Sequence, residues 1–179
     1  MDEVDRLVSP RLRLRTLALL AGLALGSACF GKDVDVAHAS GAAVRARVVE
    51  LVNEARSRGR RCGSERFAPA PPLAVSRKLN DAAGDHARDM LKHDFFEHRG
   101  SDGSQPKDRV EQTGYKHRLI GENIALGPES AEEVVAGWLA SPGHCSNIME
   151  PRFQDIGVGV ASGKKRGQVY WVQEFGAPR

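Results

Sequence analysis

The chain has 179 residues, with 26 Lys and Arg against 23 Asp and Glu for a formal charge of +3; 41% of it is hydrophobic and 27% charged. That is the size and make-up of one soluble globular domain, and it excludes collagen-like, coiled-coil and wholly disordered classes. No apolar run reaches the ~18–20 residues that span a bilayer as a helix, and a small, scattered charge argues against a nucleic-acid partner.

The first segment is patterned for export. Arg6, Arg11, Arg13 and Arg15 precede an apolar stretch from Leu17 to Leu25, which leaves through Gly26, Ser27 and Ala28. A basic start, a short apolar centre and small residues at the exit describe a secretory signal peptide over residues 1–28. Two cleavage sites fit. Ala28 before Cys29 resembles a bacterial lipoprotein signal, which makes Cys29 a candidate lipidation site; Ala37-His38-Ala39 has the small-x-small pattern of ordinary cleavage. Residues 29–41 then read as a linker and 42–177 as the domain. The expected location is secreted or in the cell envelope, periplasmic or extracellular, with any membrane contact made through a lipid anchor and not through a transmembrane helix.

Cysteines stand at 29, 62 and 145. In an exported chain, lipidating or removing Cys29 leaves one pair, so Cys62–Cys145 is the expected disulfide. By loop-closure entropy it would contribute about 4–5 kcal/mol, less any native strain. The alternative is a nucleophilic Cys145 beside His144, although residues adjacent in sequence rarely face each other productively. No CxxC spacing exists to suggest a zinc ribbon or a thioredoxin-type site.

Along the domain, Val44, Val48, Leu51, Val52 and Ala55 recur at helical spacing between Ala42 and Arg58, with Gly59 as the stop. A polar connection carrying Cys62 and Gly63 runs into Pro69-Ala70-Pro71-Pro72, where helix is forbidden. Ser76 caps a second helix whose stripe is Leu79, Ala82, Ala83, His86, Ala87, Met90 and Leu91. The chain leaves it through Asp94 to His98 into a turn at Gly100-Ser101-Asp102-Gly103. A third helix runs from Pro106 to Gln112, with Ser104 near its start and Gly114 as its stop. Ser130-x-x-Glu133 opens a fourth, with Val134, Val135 and Trp138 inward, and Ser141-Pro142-Gly143 ends or bends it. Beyond Pro151 the period changes to two: Ile156, Val158 and Val160 alternate with Gly and Ala. Val169, Trp171, Gln173 and Phe175 answer across a Gly-Lys-Lys-Arg-Gly turn, giving a C-terminal antiparallel hairpin with Lys164, Lys165 and Arg166 at its solvated tip. The fold class is therefore α+β. Trp138, Leu51, Val52, Leu79, Met90, Ile124, Val158 and Phe175 form the expected core.

The chemistry-bearing residues gather in three segments that read as irregular: Phe95-Phe96-Glu97-His98, Gly121-Glu122-Asn123-Ile124-Ala125, and Pro142-Gly143-His144-Cys145-Ser146-Asn147. Neither HExxH nor G-x-S-x-G is present. From spacing alone, His98, Glu122 and His144 suit metal ligands, acid–base groups or a polar network that holds loops in place.

His98 after two aromatics, Gly121-Glu122-Asn123, Trp138 ahead of Ser141-Pro142-Gly143-His144, Asn147-Ile148, and Val169-Tyr170-Trp171-Val172-Gln173 together resemble the CAP superfamily over roughly residues 45–176. That superfamily contains cysteine-rich secretory proteins, venom antigen 5 and plant pathogenesis-related proteins, and the likeness is to its exported bacterial, SCP-like branch. The resemblance implies a three-layer α-β-α sandwich with a small antiparallel sheet between helix layers and a cleft open to solvent. In the eukaryotic branch that cleft holds two His and two Glu able to take up a divalent metal. Carried over, the first His matches His98 and the first Glu matches Glu122, while the second Glu falls on Ser141 and the second His on Tyr170. The bacterial pattern offers His144 for the same cleft.

The expected binding set is thus His98, Glu122, Asn123 and His144, with no catalytic residue assigned. No cofactor is required, and His98, His144 and Glu122 form at most a weak site for a divalent ion such as zinc. The expected function is a non-catalytic cleft-binding or interaction module whose ligand is a lipid, glycan or peptide. The alternative is a protease or cell-wall hydrolase using His98, Glu122 and His144. In either case His98, Glu122 and His144 should lie close together with at least one His–Glu hydrogen bond.

Overall fold

A computed structural model describes residues 33–179; the segment expected to be a signal peptide, and Cys29, lie outside the described residues. The elements follow in the order α1 (Gly41–Arg56), β1 (Arg60–Cys62), β2 (Glu65–Phe67), β3 (Ala74–Val75), α2 (Arg77–His93), α3 (Pro106–Gln112), β4 (His117–Leu126), α4 (Ala131–Ala140), α5 (Pro142–Met149), β5 (Asp155–Ser162) and β6 (Val169–Pro178). β1 and β2 form a small hairpin. The main sheet has the order β3-β5-β6-β4, antiparallel except for the short parallel pairing of β3 with β5.

The local rules that place the helices are visible at their ends. Ser40 caps α1 by accepting from the Ala43 N–H at 3.2 Å, Ser76 accepts from Leu79 N–H at 3.5 Å, and Ser130 accepts from Glu133 N–H at 3.2 Å. Two readings of the ends shift. α1 closes at Ser57, ahead of Gly59, and Gln105 occupies the cap position of α3 next to Ser104, where it exchanges bonds with Asp108. The Glu133 carboxylate serves the Glu129 N–H at 2.8 Å, so the α4 cap is shared with the preceding loop.

Three layers result. On one face of the sheet α1, α4 and α5 bury Val44, Val48, Val52, Val134, Trp138 and Ile148 against Ile156, Val158, Trp171 and Phe175. On the other, α2 lays Ala83, Ala87 and Met90 on Ile124, Ala161, Tyr170 and Val172. This is the α-β-α sandwich expected from the resemblance. The alternation in β5 has a steric origin: a Cβ on Gly157 or Gly159 would overlap the α2 backbone at Leu79 or Ala83, so glycine lets the helix settle directly on the strand. Val34, Val36 and Ala39 pack against the α1 layer, and Asp35 bridges to Ser130.

Of the expected core residues, Leu51 is only half-buried at the rim of the cluster, while the other seven are buried. The Trp138 Nε1–H also donates to Ile124 O at 3.1 Å, tying α4 to β4. Cys62 and Cys145 are bonded, with Cα atoms 5.5 Å apart across a separation of 83 residues. The bond joins β1 to α5, a helix of its own with Pro142 in its first turn, so Ser141-Pro142-Gly143 bends the chain into a new helix.

β4 is the main correction. The segment read as irregular around Gly121-Glu122-Asn123 is the centre of a ten-residue strand paired along β6, and His144 stands on α5. Only His98 lies in an irregular stretch.

Candidate functional site

β4 is an edge strand, and its neighbouring residues Glu122 and Asn123 point to opposite faces, as strand geometry requires. Asn123 faces α5. Its Nδ2 donates to Gln173 Oε1 at 3.0 Å and to His144 O at 3.2 Å, and its Oδ1 accepts from Asn147 Nδ2 at 2.9 Å. It is fully buried and fixes α5, with His144 on it, against the strand. Asn123 is therefore a brace for the site.

Glu122 faces α3 and the segment after α2. Its Oε1 meets His98 Nδ1 at 2.6 Å, and its Oε2 accepts from Arg109 Nη2 at 2.6 Å. The same Arg109 Nη2 donates to His98 O at 3.0 Å, and Nη1 donates to Ser104 O at 3.1 Å. One guanidinium from α3 thus holds both the carboxylate and the loop that carries the imidazole. Burial opposes ionisation of Glu122, but the bonds from its neighbours and the Arg109 charge hold its pKa below the ordinary value. The bond to Glu122 raises the His98 pKa, with burial opposing. The His98 side chain is 52% exposed, so with Nδ1 committed its Nε2 is the nitrogen left for a ligand.

His144 has the opposite shift. Burial, and the charge of His98 close by, lower its pKa. No hydrogen bond joins its ring to Glu122 among the described residues. The structure therefore brings His98 to Glu122 as expected, and leaves His144 within reach of the His98 charge without completing a three-way contact. Tyr170, on which the second His of the eukaryotic branch falls, is buried under α2 with its hydroxyl 3.4 Å from Asp94.

Two participants escaped the sequence. Arg109 is one. Glu174 is the other: it stands directly opposite Glu122 in the β4–β6 register, is 0% exposed, and neither of its oxygens has a hydrogen-bond partner. Burial, then the Glu122 charge, raises its pKa well above the ordinary value, which favours the neutral form of Glu174.

The donor set does not fit a dedicated metal centre. Both Glu122 oxygens are engaged, one of them by a fixed cation, and Ser141 offers no carboxylate where the family's second Glu would stand. Among the described residues no group of three or more His, Cys, Asp and Glu is arranged to hold a metal ion.

A family model for CAP, the cysteine-rich secretory protein family, matches residues 49–175. YkwD of Bacillus subtilis strain 168, described as uncharacterized, is 34% identical over 140 residues, 78% of this chain and 49% of its own. The chain thus spans about half the length of that relative. Among solved structures, an extracellular protein containing an SCP domain from Bacillus anthracis strain Ames aligns with a TM-score of 0.65 and 28% identity, over 75% of this chain and 40% of that one. An outer surface protein of Borrelia burgdorferi aligns with a TM-score of 0.60 and 20% identity, over 75% of this chain and 89% of that one, a likeness of fold.

Proposed function

The chain belongs to the cysteine-rich secretory protein (CAP) family, and on that premise we propose that it is an exported, non-catalytic module that binds a ligand in the cleft lined by His98 and His144. Its place is the cell envelope or the extracellular space, whether free or lipid-anchored at Cys29. Similarity to an extracellular SCP-domain protein supports the location. The ligand is a lipid, glycan or peptide, met by the free edge of His98 and by the His144 imidazole, with Glu122, Asn123 and Arg109 holding both in place.

One observation carries the non-catalytic reading: the buried Glu122 carboxylate is engaged at both ends, with one oxygen on His98 and one on Arg109. Its side chain is 2% exposed, so neither oxygen is open to a water or a substrate. The described cysteines are joined to each other, and the Ser146 hydroxyl donates back to Pro142 O at 2.9 Å, so neither is an activated nucleophile. The function requires no cofactor, and zinc shared between two imidazoles would be held weakly.

A specific observation favours a second reading. The environments of His98 and His144 push their pKa values apart, one up and one down, which equips them as an acid and a base for a hydrolase. The deciding experiment incubates the exported protein with casein and with purified cell-wall material, and follows both turnover and ligand retention by native mass spectrometry. Stoichiometric retention without turnover supports the binding module. Turnover that His98→Ala abolishes replaces it with the hydrolase.

A further inference from the structure

A second concavity, which shares Arg109 with the His98–Glu122 cluster, lies between α2, the turn at 101–104 and α3. It is open to solvent and encloses about 530 Å³. Asp81, Asp85 and Asp89 stand along it at one-turn intervals on α2, and Asp102 faces them from the turn. The protein as a whole carries +3, so four carboxylates around one groove invert the prevailing charge. Part of that charge is spent locally, since Asp85 pairs with Arg88, and Asp89 holds His93 and both donors of Ser101.

The floor supplies an independent indication. His86 lines the groove, is 1% exposed, and brings Nε2 to Glu97 O at 2.9 Å. A carbonyl only accepts, so Nε2 carries the proton and Nδ1 is the acceptor. That Nδ1 is buried with no partner. Burial lowers the His86 pKa, which keeps the ring neutral and the lone pair available. A buried acceptor without a donor costs about 1–3 kcal/mol until something donates to it.

We propose that this groove binds a primary alkylamine, its ammonium donating to His86 Nδ1 and to the carboxylates of α2. An ammonium has three donors on a narrow head, enough to meet the ring nitrogen and the carboxylates together. Arg109, also on this wall, does not repel it in full, because its charge is matched by Glu122 at 2.6 Å. A bare metal ion is the poorer occupant, since no three metal-ligating side chains are grouped among the described residues. The amine arrives either as a free diamine or as a lysine-type side chain in a peptide; Arg109 Nε, buried on the same wall without an acceptor, is answered only by the second.

The test is a titration of the whole exported protein at low salt with cadaverine, with N-acetyl-lysine methylamide, and with N-acetyl-norleucine methylamide as the uncharged control. The His86 ring nitrogens are followed by ¹⁵N NMR. Saturable one-to-one binding of an amine, with the Nδ1 resonance moving as it gains a donor and affinity falling about fivefold in Asp81→Asn/Asp85→Asn, supports the site. The tighter of the two amines identifies the source. Equal response to the norleucine control, or binding that leaves Nδ1 unmoved and behaves as diffuse counter-ion screening, overturns it. Both substitutions are at exposed positions outside the cleft, so a fold defect does not cloud the result.

Discussion

Arg56 and Arg109 are both buried, and the company each keeps separates a structural seam from a functional one. Arg56, 0% exposed, reaches from α1 into the turn between α5 and β5 and donates only to carbonyls: Pro71 O at 2.8 Å, Ile148 O at 2.7 Å, Glu150 O at 2.9 Å and Phe153 O at 3.4 Å. Arg109 ends on a carboxylate that is shared with a half-exposed imidazole. Neutral oxygens cannot change charge, so the first network has one state. The second contains Glu122, His98, Glu174 and His86, each with a protonation state that its neighbours set, and can hold several. A buried cation alone therefore does not mark a site; what it is paired with does.

The sharpest way to break that distinction is to remove the first guanidinium. Arg56→Ala strands four carbonyls in the core and should cost about 3–5 kcal/mol in denaturant unfolding. The loss should be the same from pH 5 to pH 8, because nothing in that network titrates there; a loss that varies with pH would erase the contrast. Reduction of Cys62–Cys145, in the same seam, should cost about 2–4 kcal/mol while leaving far-UV circular dichroism intact, since the two sheet faces keep their own apolar cores.

On the cleft side, Arg109→Ala should cost about 2 kcal/mol at neutral pH, less than a broken ion pair with no other support, because His98 still serves Glu122. The pH dependence has a definite sign. Glu122 has a depressed pKa, so its contribution is present above the unfolded value near ~4.3 and is lost as pH falls through the lower folded value. The penalty of the substitution should therefore shrink in acid, unlike that of Arg56→Ala. The smallest effect is local. In an NMR titration His98 should titrate above ~6.5 and His144 below it, and Glu122→Gln should bring His98 back toward ~6.5. The His98 contribution to stability is complete below ~6.5 and disappears as pH rises through its higher folded value. Overlapping titrations in the wild type would show that Glu122 does not control the pair.

What the sequence conceals in this molecule has a common cause. Helices α1 to α4, the C-terminal hairpin and the disulfide were legible because each is announced locally, by caps, period or a cysteine count; the His98–Glu122 contact was legible through the family resemblance, and α5, read as an irregular segment, was not. β4 was not, since Gly121, Glu122 and Asn123 are poor strand formers and break any alternation at its centre. Arg109 sits in the short, highly charged Pro106–Gln112 helix, where a cation looks solvated. Glu174 alternates with Gln173 and Phe175 as a water-facing residue would in a one-sided sheet. β6 is covered on both faces, and Tyr170 and Val172, apolar on the Glu174 side, were the available signal.

The disulfide has a topological consequence. His98, Arg109 and Glu122 all lie inside the loop that Cys62 and Cys145 close, and so do the exposed turn before α3 and the half-buried one around Gly127. Loop turns are where proteases cut first. A chain severed at either of them is still one molecule, because the two pieces remain covalently linked at β1 and α5, with every cleft residue on one piece or the other. The bond thus makes the cleft tolerant of nicking, a form of durability distinct from the free energy of the fold.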